Sequence, residues 1–370
     1  MQIAENIPLA PLTTLGVGGP ARYFLEATTA EEVCAGVNWA KGRGLAWFVL
    51  GGGSNLVVAD SGFPGLVLKI GIRGICHSGN GAEVVFSAGA GEDWDGFVAH
   101  TVGCGCAGLE CLSGIPGTVG AAPVQNVGAY GQEVGQTICR VDLLDTDAGA
   151  IPPQQAKDGL AGDPMEVFDR SRCGFGYRTS IFNTSARGRY VILRVEFALT
   201  AGGAPSVAYA DLQKYFGERV PTLQQTREAV REIRRAKGML LVEDDSECRS
   251  AGSFFKNPLL TAGQFGELQA RLAARNLSIP SYPALETQHK VSAAWLIEQA
   301  GFSKGYTLGR VGISQKHALA IVNRGGATTA EVMALKNAIQ DAVREQFSIE
   351  LEPEPVFLGF EGEGYSSRHG

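Results

Sequence analysis

Two glycine-rich loops carry the residues best suited to bind an anion. The first, Gly51 to Asn55, directly follows a short apolar segment typical of a strand, so its bare backbone amides can converge on one point. Ser54 and Asn55 add side-chain donors to this loop. The second loop runs from Ser113 to Gly120 and continues from Gln125 to Gly131. Such amides can hold a diphosphate without lysines, although plain turn chemistry explains each loop when it is taken singly.

The spacing of other residues disfavours the common nucleotide and metal motifs. The chain contains no GxxxxGK[ST] segment, which excludes a P-loop. Gly16 to Gly19 lacks the third glycine of a dinucleotide fingerprint, and in the segment from Gly89 that position is Trp94. The eight cysteines include no CxxC pair and the five histidines lie far apart, so we expect reduced thiols and no metal site.

Composition and charge exclude several classes of protein. The 370 residues include 50 glycines without a collagen period, and 45% of them are apolar, which is typical of a folded chain with many tight loops. A net charge of −6 argues against nucleic-acid and anionic-membrane partners. The N-terminal segment lacks the pattern of a secretory signal, and no apolar run reaches the roughly 18 residues of a membrane span. We therefore expect a cytoplasmic protein.

The elements that must position these loops follow from hydrophobic patterns and caps. Thr28 to Glu31 predicts the start of a helix through a capping box, and Thr222 with Gln225 predicts another that ends near Lys237. The last helix is predicted to begin at Thr328. Predicted strands are 45–50, 66–70, 83–88, 140–144, 190–199 and a tail strand at 349–360.

Five segments together carry a specific resemblance. They are LGGGSN at 50–55, GLECLSGIPGTVGAAPVQNVGAYGQE at 108–133, FGYRTSIF at 175–182, SAGSFFKNP at 250–258 and LEPE at 351–354. Their order and sequence resemble the UDP-N-acetylenolpyruvoylglucosamine reductases of bacterial peptidoglycan synthesis, from about Leu12 to about Gly359. The FGYRTSIF segment and Tyr209 are similar to the type I subgroup, which has an extra loop over the substrate.

The resemblance implies an α+β fold with a two-lobed FAD-binding domain of the vanillyl-alcohol-oxidase-like type and a smaller α+β substrate-binding domain. Lobe 1 would comprise residues 1–72 with the C-terminal tail 348–370, lobe 2 residues 73–238, and the substrate-binding domain residues 239–347. FAD is expected to be bound non-covalently. The residues implied to contact it are Gly51, Gly52, Gly53, Ser54, Asn55, Pro116, Gly117, Gly120, Asn126 and Gly128.

The implied reaction reduces the enolpyruvyl ether of UDP-N-acetylglucosamine to UDP-N-acetylmuramate, with NADPH as the reductant of FAD. Hydride would come from flavin N5 and the proton from Ser253, while negative charge builds on the substrate carboxylate. Arg178 would bind that carboxylate with its guanidinium fork, and a protonated Glu354 would donate a hydrogen bond to it. Spacing alone would instead make Ser253 a turn cap, Arg178 a surface residue at a strand end and Glu354 a solvent-facing strand residue.

Five further residues are candidates for the uridine diphosphate and the carboxylate, namely Tyr130, Tyr209, Arg234, Lys237 and Asn257. Arg234 and Lys237 lie at i and i+3, on one side of a helix. A solvated basic face is a competing interpretation, because Arg227 and Arg231 continue it. We assign no role to His317.

Two departures from the family pattern and two other functions remain open. Ala121-Ala122 stand where some members have serines near the flavin, and Pro355-Val356 stand where many have a basic residue after Glu354. The alternatives are another FAD-dependent oxidoreductase of the same superfamily, against which SAGSFFKNP argues, and a non-enzymatic nucleotide-sugar binder. The protein is expected to be a monomer.

Overall fold

The N-terminal part of the chain forms a mixed four-stranded sheet. The computed structural model describes residues 1–79, 81–148, 165–273, 276–283 and 288–360. The sheet has the order β1-β2-β5-β3, in which β2, β5 and β3 are parallel and β1 is antiparallel. The elements are β1 (Ala4–Pro8), β2 (Pro20–Ala27), α1 (Ala30–Lys41), β3 (Trp47–Leu50), β4 (Leu56–Val58) and β5 (Phe63–Ile70).

Helix α1 begins one residue later than its predicted capping box. Thr29 is the N-cap and accepts the backbone N–H of Glu32 at 3.3 Å, and the Glu32 carboxylate in turn accepts the Thr28 N–H at 2.9 Å. The predicted box from Thr28 to Glu31 is therefore wrong by one residue. The N-cap is Thr29, and Glu32 is the glutamate that accepts the Thr28 N–H. Val33 and Val37 on the buried face of α1 pack in the core of this sheet.

A six-stranded antiparallel sheet follows, with the order β12-β11-β13-β7-β6 and with β8 also paired to β13. Leu25, Leu66, Phe86 and Phe197 belong to one hydrophobic core, so the first sheet and this sheet share their interior. The elements are β6 (Ile75–Ser78), β7 (Glu83–Gly89), α2 (Trp94–Gly103), β8 (Cys106–Ala107), β9 (Gly128–Ala129), β10 (Gln132–Glu133), β11 (Ile138–Asp145), β12 (Met165–Asp169) and β13 (Tyr190–Ala201).

Two helices, α3 (Ala210–Phe216) and α4 (Leu223–Ala236), follow the six-stranded sheet. The predicted capping box of α4 is present, since Thr222 and Gln225 each accept the other's backbone N–H. Lys237 is the C-cap of α4, so the helix ends where its pattern predicted.

The remaining residues form two small sheets, β14-β16-β15 and β17-β18-β19, with three helices and a second hydrophobic core. Thr328 and Glu331 form the predicted capping box of α7. The elements are β14 (Leu259–Thr261), α5 (Ala262–Ala273), β15 (Ser281–Pro283), β16 (Gln288–Val291), α6 (Ala293–Gln299), β17 (Thr307–Leu308), β18 (Val311–Ile313), β19 (Ile321–Asn323), α7 (Thr329–Phe347) and β20 (Val356–Leu358).

The tail strand is shorter than predicted. Only β20 is a strand, and it pairs in parallel with β4 near the start of the chain. The N–H of Val356 bonds to the carbonyl of Asn55 at 3.0 Å, which joins the tail to the first glycine loop. Residues 361–370 of the predicted tail lie outside the described residues, and the three domain boundaries stay predictions.

Within the described part of the chain, no helix is long and apolar enough to span a membrane. The same residues contain no group of three or more histidine, cysteine or acidic side chains that could hold a metal ion. All eight cysteines lie in the described ranges, and none of them forms a disulfide.

Candidate active site

The two glycine-rich loops lie directly against each other. The Ser54 hydroxyl donates to the carbonyl of Pro116 at 3.0 Å. A Cβ on Gly52 would lie 2.6 Å from the Cα of Gly117, and a Cβ on Gly51 would lie 2.8 Å from Oγ1 of Thr118. Only glycine permits this approach, because real Cβ atoms do not come so close to backbone.

A cleft of about 250 Å³ lies between these loops. Its cationic lining side chains, Lys69 and Arg73, are paired with Glu26 at 3.1 Å and with Glu92 at 3.4 Å. Four glycines in its lining contribute backbone without side chains, so these parts of the wall can offer amides to a flat or phosphate-bearing cofactor. Its other lining residues include Thr14, Gly51, Gly52, Gly91, Asp93, Pro116, Gly117 and Thr118.

Besides Gly120, five of the predicted cofactor residues lie outside the lining of this cleft. Gly53 has a positive φ and packs on the carbonyl of Leu12, while Asn55 donates to the backbone carbonyl of Glu354 at 3.2 Å. The Asn126 side chain is only 2% exposed. It donates to the Glu133 carboxylate and the Gly176 carbonyl, and accepts the Gly135 N–H.

The other two members of that group have positions of their own. Ser54 does not line the cleft itself, but it bonds to the lining residue Pro116. The Gly128 carbonyl accepts a bond from Arg178, so Gly128 lies beside the candidate residue Arg178. Gly120, a further predicted residue outside the lining, packs against Ala90, where a Cβ would meet that of Ala90 at 2.5 Å.

Arg178 and Glu354, which are far apart in sequence, form an ion pair. Nε of Arg178 lies 3.3 Å from Oε1 of Glu354, and Nη2 donates to the carbonyl of Gly128 at 2.9 Å. Within the described residues, Nη1 of Arg178 has no hydrogen-bond partner. The guanidinium is thus fixed on two sides and keeps donors for a further anion.

Burial controls the ionisation of Glu354, whose side chain is 17% exposed. Loss of solvent raises the pKa of this carboxyl, and the charges of Arg178 and Lys256 only partly oppose that rise. The backbone carbonyl of Glu354 accepts bonds from Asn55 and from Gln125, at 3.2 and 3.3 Å. Two loops therefore hold a carboxyl that stays protonated to higher pH than an exposed glutamate.

Ser253 is joined to Glu354 through the backbone of the next residues. Phe255 and Pro353 form an antiparallel bridge, in which the Glu354 N–H donates to the carbonyl of Phe254 at 2.9 Å. Phe254 and Phe255 are buried, so the loop that carries Ser253 is anchored in the second hydrophobic core. Among the described residues, the Ser253 hydroxyl has no hydrogen-bond partner, which leaves it available to a ligand.

Tyr177 is a site residue that the sequence analysis left unassigned. Tyr177 and Asn257 line one pocket, and Oδ1 of Asn257 accepts the Ala293 N–H at the start of α6. The Lys290 ammonium lies 5.0 Å from the centre of the Tyr177 ring. The signal was its place beside Arg178 in FGYRTSIF, since a residue next to a candidate binding arginine shares its loop.

The substrate-binding candidates Tyr130, Tyr209 and Lys237 lie together. The Tyr130 and Tyr209 rings meet edge to face at 5.4 Å, and the Lys237 ammonium is 5.9 Å from the Tyr130 ring. Lys237 donates to Asp211 at 2.6 Å. Burial lowers the pKa of Lys237, but the Asp211 bond and nearby tyrosines outweigh it and hold that pKa above its ordinary value. This cluster is a cation framed by two aromatic rings.

Arg234 occupies a different position from the other candidates. It is 5% exposed and donates to the carbonyls of Gly114 at 3.0 Å and Met239 at 2.7 Å. Burial raises the pKa of Tyr130, and the nearby charge of Arg234 partly opposes that rise. Arg234 therefore lies behind Tyr130 and supports the loop and the cluster from within.

His317 lies close to the same cations. Its burial, helped by the charges of Lys237, Lys304 and Arg234, lowers its pKa to about 4. Nδ1 accepts the Leu319 N–H at 3.1 Å. The imidazole is therefore neutral near pH 7 and does not carry the second proton of an imidazolium.

Comparisons with known proteins show which family this chain resembles. The family model "UDP-N-acetylenolpyruvoylglucosamine reductase, C-terminal domain" matches residues 244–358, and an FAD binding domain model matches residues 21–151. The UDP-N-acetylenolpyruvoylglucosamine reductase of Thermobifida fusca is 45% identical over 96% of this chain and 98% of its own. That of Streptomyces coelicolor is 44% identical over 97% of this chain and 91% of its own.

A solved structure shows the same fold. The reductase of Thermus caldophilus is 25% identical, with a TM-score of 0.62 over 97% of this chain and 99% of that one. The predicted fold class, α+β with an FAD-binding domain, is thereby confirmed. This chain belongs to the UDP-N-acetylenolpyruvoylglucosamine reductase family.

Proposed function

We propose that this protein reduces the enolpyruvyl ether of UDP-N-acetylglucosamine to UDP-N-acetylmuramate, with FAD as cofactor and NADPH as reductant, in peptidoglycan synthesis. The carrying observation is the Arg178–Glu354 pair at 3.3 Å, joined by backbone to the segment of Ser253. The family membership and the FAD binding domain at residues 21–151 support the same activity.

In this proposal FAD binds along the cleft between the glycine loops, where Gly51, Gly52, Pro116 and Gly117 would hold part of it through backbone groups. When bound, it supplies hydride to the substrate after reduction by NADPH. Binding is non-covalent in this proposal. Of the nearby thiols, burial raises the pKa of Cys111 and of Cys106, which keeps both in the unreactive protonated form.

Arg178 and Glu354 together bind the substrate carboxylate on which negative charge accumulates. The remaining N–H donors of Arg178 hydrogen-bond to this anion and stabilise its charge, and a protonated Glu354 donates a further hydrogen bond. A carboxyl with a raised pKa suits that role, because an ionised one would repel the developing charge.

Ser253 delivers the proton to the carbon beside the carboxylate. Its hydroxyl is free of protein partners within the described ranges, so it can point to the substrate. Lys256 donates to Glu352 at 2.5 Å, and Oδ1 of Asn257 accepts the Ala293 N–H at 3.0 Å. Both neighbours thus orient the loop rather than contact the hydroxyl.

Lys237, Tyr130 and Tyr209 clamp the diphosphate in this proposal. The rings frame the ammonium, and Asp211 releases it when a phosphate arrives. Tyr209 is 45% exposed and precedes α3, so its loop can cover a bound nucleotide. We further infer a cytoplasmic monomer.

The visible spectrum of the purified protein tests the function. Flavin absorbance should bleach with NADPH and return when the enolpyruvyl nucleotide is added. Bleaching by an alcohol instead would identify another oxidoreductase of the superfamily. Absence of flavin colour would leave only a nucleotide-sugar binder.

A further inference from the structure

Asp95, in the first turn of α2, is the centre of a charged cluster that joins the second glycine loop to helix α4. Its Oδ1 accepts the Gly114 N–H at 2.7 Å and Nη1 of Arg227 at 2.5 Å. Its Oδ2 accepts Nη1 of Arg231. Burial opposes its ionisation, but these bonds and charges hold the pKa of Asp95 below its ordinary value.

The peptide groups around Gly114 are held from both sides. Asp95 takes its N–H, and Nε of Arg234 donates to its carbonyl at 3.0 Å. Gly114 has a φ of +70°, and a Cβ there would lie 2.8 Å from Leu240 and 3.4 Å from Arg234. These contacts therefore fix the start of the second glycine loop against α4.

Three arginines of α4 make this connection from one helix face. Arg227, Arg231 and Arg234 follow the spacing of neighbours on a helix surface. Arg227 is 11% exposed, so the sequence alternative of a solvated basic face does not describe it. The same helix ends at Lys237, and the same glycine loop reaches Pro116 and Gly117 in the cleft.

We propose that Asp95 is a positioning residue that fixes the distance between the FAD-side glycine loop and the Lys237 cluster. It touches neither ligand. Through Gly114 it holds the loop that would bind FAD, and through Arg227 and Arg231 it holds the helix that presents Lys237. The inference rests on the proposed function of these two sites.

The test compares Asp95→Asn with Asp145→Asn in the full-length holoenzyme. Asp145 is a matched control, because it is buried and accepts Arg189 at 2.6 Å, at the end of β11. Three readouts are needed: FAD release on dilution, followed by free-flavin fluorescence; KM and kcat for the enolpyruvyl nucleotide; and the thermal midpoint.

Asp95→Asn should raise the FAD dissociation constant and the KM together, each by about tenfold, as expected when a charge-assisted hydrogen bond is weakened. The kcat should change far less, and Asp145→Asn should lower only the thermal midpoint. Adding Arg227→Gln to Asp95→Asn should have little further effect on either constant, because both changes remove one contact.

The inference is overturned if Asp95→Asn lowers the midpoint like the control and leaves both ligand constants unchanged. It is also overturned if only one of the two constants moves. Failure of the proposed function is distinguishable, since wild-type protein would then not bleach with NADPH, whereas FAD release would still report on the loop.

Discussion

Two residues of the site are held in a backbone conformation that side chains rarely adopt. Arg178 has a φ of 55° and Tyr130 a φ of 48°. Each costs on the order of 1 kcal/mol or more, which surrounding contacts must offset. For Arg178 those contacts are Glu354 and the Gly128 carbonyl, and for Tyr130 they include the Tyr209 ring. Both strained residues therefore contact other candidate site residues.

Ser253→Ala tests proton delivery at the residue scale. We expect NADPH to bleach the flavin at nearly the wild-type rate, while reoxidation by the enolpyruvyl nucleotide slows by about 10²- to 10⁴-fold, the usual contribution of a positioned acid. Stopped-flow absorbance separates the two half-reactions. Ser250→Ala is the control, since it removes a hydroxyl of the same segment that accepts the Gly252 N–H at 3.3 Å. Reoxidation slowed less than tenfold in Ser253→Ala would exclude this serine as the acid.

Glu354 gives a prediction about pH. Its folded-state pKa is raised by burial, so the proton needed for hydrogen-bond donation is lost as pH rises through that raised value. Reoxidation should therefore slow at high pH in wild type. Glu354→Gln should keep part of the activity and lose this limb of the profile, whereas Glu354→Ala should be far slower at every pH. Glu350→Gln serves as the control, because Glu350 is exposed and pairs with Arg344 at 3.4 Å. Equal losses in the Gln and Ala variants of Glu354 would indicate an ionised or proton-transferring role.

At the scale of elements, helix α4 separates two kinds of basic residue. Arg227, Arg231 and Arg234 are committed to Asp95 and Gly114, whereas Lys237 reaches Asp211 beside two tyrosines. We expect Lys237→Ala to raise the KM for the nucleotide, with less effect on the hydride step at saturation, because a diphosphate clamp acts mainly on binding. The KM for NADPH should rise as well if both anions use the same cleft.

Arg235→Ala is the matched control for Lys237→Ala. Arg235 lies exposed on the last turn of α4, and no ion pair to it is seen within the described residues. Steady-state kinetics of both variants should show a clear KM effect for Lys237 alone. Matching near-wild-type constants would remove Lys237 from the site.

Local patterns predicted many of these elements but not the contacts between them. The caps at Thr222 and Thr328 and the strands near 83–88, 140–144 and 190–199 follow from short-range chemistry, and the structure has them. The Asp95 contacts join residues 132 and 136 positions apart, and a single sequence contains no signal for such a pair. The tail strand was predicted too long, also because its contacts are with distant residues. Residues 352–354 pair with the Ser253 segment through one bridge instead of a regular ladder.

The whole molecule carries a net charge of −6, so its long-range field repels FAD, NADPH and a UDP-sugar alike. Affinity must come from close donors inside clefts, where screening by salt is weak. The proposed FAD cleft joins a loop of the first sheet to a loop that follows α2, and these two parts share one hydrophobic core. Bound cofactor should therefore stabilise the folded chain as a unit.

Gly52→Ala tests this coupling through the thermal midpoint. Wild-type protein should gain about 2.7 kcal/mol of unfolding free energy when free FAD is 100 times its dissociation constant. In Gly52→Ala the new methyl group would lie 2.6 Å from the Cα of Gly117, so it should force the loops apart and weaken FAD binding. Calorimetry with and without added FAD should then show a much smaller FAD-dependent rise. Gly266→Ala is the control, because its Cβ meets nothing within 4 Å on helix α5. If both variants respond to FAD like wild type, the glycine loops do not form the cofactor cradle.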